Sequence, residues 1–479
     1  MNYSIIIYII GWILNTAGAL MLLPCITALI YQERQGFAFV FTMGFCFLLG
    51  ILMTFRKPKK KAFYIREGFV TVAMSWIVLS VVGCVPFVIS RSIPNPFNAF
   101  FEVVSGFTTT GASILTDVEA LPHCMLLWRS FTHWIGGMGV LVFVLALLPL
   151  NGGYHMNLMK AESPGPSVSR ILPKVRSTAI ILYQIYFLLT ILEMFILLIL
   201  RMPVFDTICI SFGTAGTGGF GVLNSSCGDY TIPQQVVITI FMILFGINFN
   251  VYFLLLTRKV LQALRIEELR CYLAIICSAI LLITVNIMHL AGGFLKALQQ
   301  AAFQVGSIIT TTGYSTVDFN RWPDFSKAIL VMLMFVGACA GSTGGGMKVS
   351  RIIIMAKTVT KEFLLYLHPN AVKKVKMDGK PISHEVVRST NIFLITYVVV
   401  FACSALLISL DNLGFTTNFT AVAATINNIG PGLDIVGPSG NYALYSNFSK
   451  LVLSFDMLAR RLELFPLLLL FFPGTWKEF

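Results

Sequence analysis

Stretches of about 20 apolar residues recur from one end of the chain to the other, the length an α-helix needs to cross the hydrocarbon core of a bilayer. Hydropathy places them at 5–30, 37–54, 67–90, 130–150, 177–200, 233–256, 271–291, 327–347, 389–409 and 447–472. Inside lipid every backbone polar group must find its partner within the protein, so this pattern points to an all-α polytopic membrane protein. Composition agrees: of 479 residues, 57% are hydrophobic and 11% charged, under half the charged share of a soluble domain, about 25%. A soluble enzyme, a disordered chain and a fibrous protein are excluded. The first apolar stretch is too long and too uncharged at its front for a cleavable signal peptide, and reads as a crossing.

Ten crossings leave both termini on one side, and the basic residues say which. The net charge is +13. The links at 55–66, 151–176, 258–270 and 348–388, with the C-terminal tail, hold 24 of the 34 Lys and Arg residues. The opposite links hold eight (Arg34, Arg91, Arg129, Arg201, Lys296, Arg321, Lys327, Lys450), and Arg460 and Arg461 lie within the last apolar stretch. Cytoplasmic loops carry the excess of Lys and Arg, so the richer side and both termini are assigned to the cytoplasm. The basic run from Arg56 to Lys61 faces anionic lipid headgroups there. Nucleic-acid binding is set aside, since no basic stretch carries a reading motif. Ten scattered cysteines without a C-x-x-C pair and six dispersed histidines indicate no metal site.

The segments that do not cross carry more information. Four short, moderately apolar stretches, Asn95–Phe107, Phe205–Gly213, Gly293–Ser307 and Thr416–Ala424, follow the third, fifth, seventh and ninth crossings. A Gly-bearing polar string follows each. The strings are Thr108-Thr109-Thr110-Gly111-Ala112-Ser113, Ala215-Gly216-Thr217-Gly218-Gly219-Phe220, Thr310-Thr311-Thr312-Gly313-Tyr314-Ser315 and Asn427-Asn428-Ile429-Gly430-Pro431-Gly432. The glycines at 111, 218, 313 and 430 are separated by 107, 95 and 117 residues. One such string would be an ordinary turn. Four at the same place in successive crossing–short helix–crossing units are an internal repeat. The chain therefore divides into an N-terminal two-helix extension (1–66) and four repeats, 67–176, 177–270, 271–388 and 389–479.

Non-helical backbone at membrane depth is tolerated where it lines a cavity. Four rows of extended Thr/Gly backbone around one axis make rings of carbonyl oxygens that can replace a cation's hydration shell. Glycine suits the point where all carbonyls must turn the same way, and Thr or Ser hydroxyls add oxygens beside it.

These strings, with Trp128-Arg129 before Gly136-Gly137-Met138-Gly139, Ala161-Glu162-Ser163-Pro164-Gly165-Pro166, and Gly341-Ser342-Thr343-Gly344-Gly345-Gly346, resemble the Trk/Ktr superfamily of potassium transporters over essentially the whole chain. The two leading crossings resemble its longer Trk-type transmembrane subunits. The resemblance implies ten transmembrane helices and four re-entrant pore helices in four pseudo-symmetric repeats around one pore. It implies a potassium filter at Thr109, Thr110, Gly111, Thr217, Gly218, Thr311, Thr312, Gly313, Asn428, Ile429 and Gly430, with potassium held by backbone carbonyls and no organic cofactor. It also implies a cytosolic nucleotide-binding regulatory subunit of the TrkA type, a homodimer, and residence in a bacterial inner membrane.

Two further features bear on the path below the filter. The run from Gly337 to Lys348 breaks the eighth crossing, because glycine is a poor helix former. The resemblance makes Gly341, Ser342, Thr343, Gly344, Gly345 and Gly346 an intramembrane gating loop; close helix packing through small residues is the simpler reading. A phosphate-binding loop is excluded, since Met347 stands where Lys is required. In the last crossing, Arg461 fits the family's arginine below the filter, an electrostatic barrier in contact with the gate, with snorkelling to the interface as the alternative. Arg460 stands where that pattern has glycine, so the sequence leaves open which of the two points inward. Asp456 and Arg460, four apart, can pair along one helical face. Glu193, within the fifth crossing, is given no role. The outer links carry ten acids against eight bases, a balance that a solvated loop surface explains as well as a cation-gathering mouth does.

The reading is inward potassium translocation, with gating and no catalysis. An Na⁺- or H⁺-coupled symporter and a less selective K⁺/Na⁺ translocator stay open. A secondary transporter of two inverted halves does not fit four units repeating in one sense. A membrane enzyme needs clustered ionisable residues at depth, and the dispersed His and Cys give none.

Overall fold

The computed structural model describes residues 1–58, 64–137, 139, 175–370 and 373–477. Most of the crossing expected at 130–150, the link at 151–174 and the Ala161–Pro166 string lie outside these residues. Among the described residues six helices are long and apolar enough to span a bilayer, seven if one sharply bent pair counts as a span.

The chain opens with α1 (Tyr3–Leu20), α2 (Leu22–Ile30) and α3 (Gly36–Thr54); the first two form one 28-residue span interrupted at Met21. Small residues let α1 and α3 pack backbone to backbone. A Cβ added at Gly11 would sit 2.8 Å from that of Met53, and one at Gly50 would sit 2.2 Å from Asn15 Oδ1. In lipid such close approach replaces the hydrophobic driving force available in water.

The first repeat is α4 (Ile65–Ile89), α5 (Pro96–Phe107) and α6 (His123–Gly137). The second is α7 (Val175–Ile199), α8 (Val204–Gly216), α9 (Ile232–Phe245) and α10 (Phe249–Leu256). After the short α11 (Val260–Leu264) come α12 (Glu267–Ala291), α13 (Phe294–Ile309), α14 (Asp324–Val336) and α15 (Val349–Leu367) of the third. A two-stranded hairpin, β1 (Lys376–Met377) with β2 (Lys380–Pro381), leads to α16 (His384–Ile408), α17 (Phe415–Ile426), α18 (Asn447–Arg461) and α19 (Phe465–Phe471).

Three crossings that hydropathy joins into one are broken. At 233–256 the chain bends by 92° between α9 and α10, at Gly246-Ile247-Asn248, where the Asn248 side chain caps Asn250 N at 2.9 Å. At 327–347 the helix stops at Val336, and Gly337 takes φ +72°. At 447–472 it stops at Arg461, because Glu463 and Leu464 both take positive φ before Pro466. Hydropathy averages over each break, whereas backbone torsions do not.

Packing closes the repeats into a ring. The helix that follows the short helix in each repeat packs on the short helix of the next: α6 on α8, α9 on α13, α14 on α17, and α18 back on α5. The N-terminal pair stands outside this ring, with α1 on α4 and α2 on α6. Glu33, in the link before α3, fastens it there by accepting from His123 N at 2.7 Å and Cys124 N at 2.9 Å. Tyr31 stacks on the His123 ring at 4.0 Å.

Candidate ion filter and gate

Each short helix ends in the same way. Thr109, Thr217, Thr311 and Asn428 sit in the left-handed region, at φ +58°, +54°, +60° and +56°. The next residue's N–H then reaches back five residues: Thr110 to Ser105 O at 2.9 Å, and Gly218, Thr312 and Ile429 to Gly213, Ser307 and Ala424 at 2.8 Å each. This is the Schellman closure, usually built with glycine at the left-handed position. A β-branched threonine there is strained, and such strain persists where the surroundings over-determine it. All four left-handed residues are buried.

Two residues further on stand Gly111, Gly219, Gly313 and Gly430, at φ +80°, +83°, +87° and +95°. Their surroundings form a closed circuit. A Cβ on Gly111 would lie 2.1 Å from the Gly218 carbonyl oxygen, and one on Gly219 would lie 1.9 Å from that of Thr312. On Gly313 it would meet Ile429 O at 2.0 Å, and on Gly430 it would meet Thr110 O at 2.7 Å. The four backbones thus touch in the order first, second, third, fourth, first, each presenting the carbonyl before its glycine to its neighbour.

That circuit shifts the second string by one residue from the sequence reading. Its glycine in register is Gly219, while Gly218 occupies the position of Thr110, Thr312 and Ile429. The string offers two adjacent glycines, and α8 runs to Gly216, three residues past its expected end.

Side chains brace the circuit less symmetrically. Thr108 and Thr110 share a hydroxyl hydrogen bond of 2.8 Å, and Thr310 and Thr312 repeat it at 2.8 Å. In the fourth string Asn428 Nδ2 donates to Thr108 O at 2.6 Å. His133 lies between the first and second strings, with Nδ1 2.8 Å from Gly106 O and Nε2 accepting from Phe220 N at 3.2 Å. A carbonyl on one side and an N–H on the other fix the neutral tautomer.

Glu102 and Arg129, counted with the outer links in the sequence, are buried behind the ring of strings and paired. Arg129 Nη2 lies 2.8 Å from Glu102 Oε1. The same carboxylate accepts from Ser113 Oγ at 2.9 Å and Ile114 N at 2.9 Å, and the guanidinium lies 4.1 Å from the Phe220 ring. Above the ring opens a cavity of about 210 Å³, lined by Gly111, Gly219, Gly313 and Gly430 and by residues of the outer loops.

Below the ring lies the segment 337–348. Gly345 N donates to Thr311 Oγ1 at 2.6 Å, and Gly346 N to Asn427 O at 3.1 Å. Only glycine allows this approach: a Cβ on Gly345 would sit 2.3 Å from Asn427 O. The other flank docks on the break in the second repeat, through Cys339 N to Gly246 O at 3.1 Å and Phe249 N to Gly341 O at 3.0 Å. Glu268 accepts from Ala340 N at 2.7 Å and Ser350 N at 3.1 Å, on both sides of the glycine run. A cavity of about 30 Å³ remains between this segment and the ring, lined by Thr109, Asn428, Lys348 and the two arginines, among others.

Arg461 Nη2 donates to the Gly136 carbonyl and, at 2.9 Å, to that of Gly137; the guanidinium lies 5.4 Å from the Trp76 ring. Arg460 does not pair with Asp456, whose Oδ1 accepts from Ser404 Oγ at 2.7 Å. It turns to Glu463 at 3.5 Å, which also pairs with Arg351.

The family profile named TrkH, described as a cation transport protein, matches residues 35–476. The chain belongs to the TrkH family. It is 37% identical to the Trk system potassium uptake protein TrkH of Salmonella typhimurium, across 100% of both chains. It is 32% identical to the Trk system potassium uptake protein TrkG of Escherichia coli, across 100% of this chain and 99% of the relative. The crystal structure of the potassium transporter TrkH from Vibrio parahaemolyticus superposes with a TM-score of 0.89, at 32% identity and with full coverage of both chains.

Against this TrkH-family framework, the eleven filter residues singled out in the sequence lie in the four strings, together around the ring. Residues 341–346 lie beneath it, and Arg461 beside the cavity. The sequence missed Gly219, His133, and the Glu102–Arg129 pair. A polar residue buried in a short apolar helix was the available signal for Glu102. His133 had none beyond its place in an apolar stretch.

Proposed function

We propose that this chain passes potassium inward across a bacterial inner membrane, through a filter made of the carbonyls of Thr109, Thr110, Thr217, Gly218, Thr311, Thr312, Asn428 and Ile429. Gly111, Gly219, Gly313 and Gly430 let adjacent strands close up. The observation that carries this reading is the closed circuit of glycine-to-carbonyl contacts, which brings the four strings into one ring. Carbonyl dipoles at such a site take the place of water around a cation.

Residues 341–346 are the gate, since they sit against the filter strings and bridge two broken helices. Arg461 supplies positive charge on the path below. A cytosolic nucleotide-binding subunit, a homodimeric assembly and cytoplasmic termini complete the reading, and no reaction is catalysed. Expression in a bacterium stripped of its own potassium uptake systems tests the function. Growth on low potassium should be restored together with a TrkA-type partner, and lost in Gly313→Ser. Growth that Gly313→Ser leaves untouched contradicts the filter assignment.

A further inference from the structure

The guanidinium of Arg460 is buried, at 3% exposure, and none of Nε, Nη1 and Nη2 has a hydrogen-bond partner. Its nearest carboxylate, Glu463, stands 3.5 Å away and is already engaged by Arg351. Arg460 lines the cavity of about 30 Å³ under the filter together with Lys348, whose Nζ donates to the Gly344 carbonyl at 2.8 Å. Among the described residues, Glu463 is the one carboxylate on the cavity wall, against the cations Lys348, Arg460 and Arg461. Asp456, one turn back along α18, is held by Ser404 and does not line the cavity.

A buried charge whose one carboxylate is shared with another arginine is poorly compensated, and three guanidinium nitrogens without a hydrogen-bond acceptor are a strong demand for one. The cavity has room for one or two particles of about the size of water. A phosphate, a carboxylate or a nucleotide is too large for it.

We propose that this cavity is a binding site for a single halide ion, chloride in the cell, held by Arg460 and Lys348. The ion joins the last residue of the gate segment to α18 and lowers the positive charge beneath the filter. It is independent of which cation the filter passes.

The full-length protein in detergent tests this, with bromide and chloride as probes and gluconate, which the cavity cannot admit, as the reference anion at equal ionic strength. Chloride and bromide should each raise the thermal midpoint saturably over gluconate. That rise should vanish in Arg460→Gln and shrink in Lys348→Gln, with the midpoints in gluconate reporting whether each variant folds. Crystals soaked in bromide give a reading that needs no variant: one anomalous peak between Arg460 and Lys348. Equal midpoints in all three anions, a halide rise retained in both variants, or a cavity without bromide overturns the proposal.

Discussion

Asn428 Nδ2 donates to the backbone carbonyl of Thr108 at 2.6 Å and so joins the fourth glycine-bearing string to the first. In the first, second and third repeats a threonine occupies the corresponding position, at 109, 217 and 311. Asparagine at 428 serves twice, since it tolerates the left-handed backbone better than threonine and its amide reaches the neighbouring string. Asn428→Leu leaves a buried carbonyl without this donor, a loss of about 1–3 kcal/mol. The expected result is a filter that holds together but discriminates K⁺ from Na⁺ less well, read by competition of ⁸⁶Rb⁺ uptake. Unchanged discrimination counts against the bond as a brace.

The Glu102–Arg129 pair makes a second prediction. Removing one partner strands a buried charge, which costs about 3–5 kcal/mol, whereas replacing both with apolar groups of similar size is often near neutral. Glu102→Gln and Arg129→Met should each lower the thermal midpoint of the detergent-purified protein markedly. The double variant Glu102→Leu with Arg129→Met should recover most of the loss. Additive losses in the double variant contradict a coupled pair.

The segment proposed as the gate is clamped by Glu268 from both sides of its glycine run. Two hydrogen bonds to an ionised acceptor contribute about 1.5–3 kcal/mol each at most. Glu268→Ala should therefore free the segment and raise basal ⁸⁶Rb⁺ flux in liposomes without the regulatory partner, by tenfold or more. Unaltered flux in a folded Glu268→Ala protein places the gate elsewhere.

Glu33 lies outside the spans and gives a pH dependence. Burial disfavours its ionised form, but the N–H groups of Cys124 and His123 and the His123 side chain outweigh this and hold its carboxyl below the usual value. A carboxyl lowered by folding stabilises the folded state above its ordinary titration range, and that contribution is lost as pH falls through the lowered value. The attachment of the N-terminal helices should weaken on acidification below about pH 4. In Glu33→Gln that acid-dependent step should be missing. The check is limited proteolysis of the 31–35 link across a pH series.

How far the sequence alone reached can be followed residue by residue. The four strings were legible because glycine and threonine at one place in a repeating unit have no other common cause. The register of the second was misplaced because Thr217-Gly218-Gly219 offers two adjacent glycines, and only backbone torsion tells them apart. The breaks at Gly246–Asn248 and at Leu464 were hidden by the apolar residues around them. Glu102 and Arg129 read as loop charges because nothing local shows that each neutralises the other. Asn428 was placed in the filter, but its reach to Thr108 joins residues 320 apart, which no local pattern records.

The central claim is that four carbonyl rows meet in a ring with Gly219, not Gly218, in register with Gly111, Gly313 and Gly430. Uptake of ⁸⁶Rb⁺ into liposomes carrying the purified protein and a TrkA-type partner tests it most directly, with K⁺, Na⁺ and Li⁺ as competitors. The wild-type chain should be blocked by K⁺ far better than by Na⁺ or Li⁺, and Gly219→Ser should lose that preference as fully as Gly313→Ser does. Uptake indifferent to cation identity in the wild type, or a Gly219→Ser protein that keeps its preference while Gly313→Ser loses it, contradicts the ring.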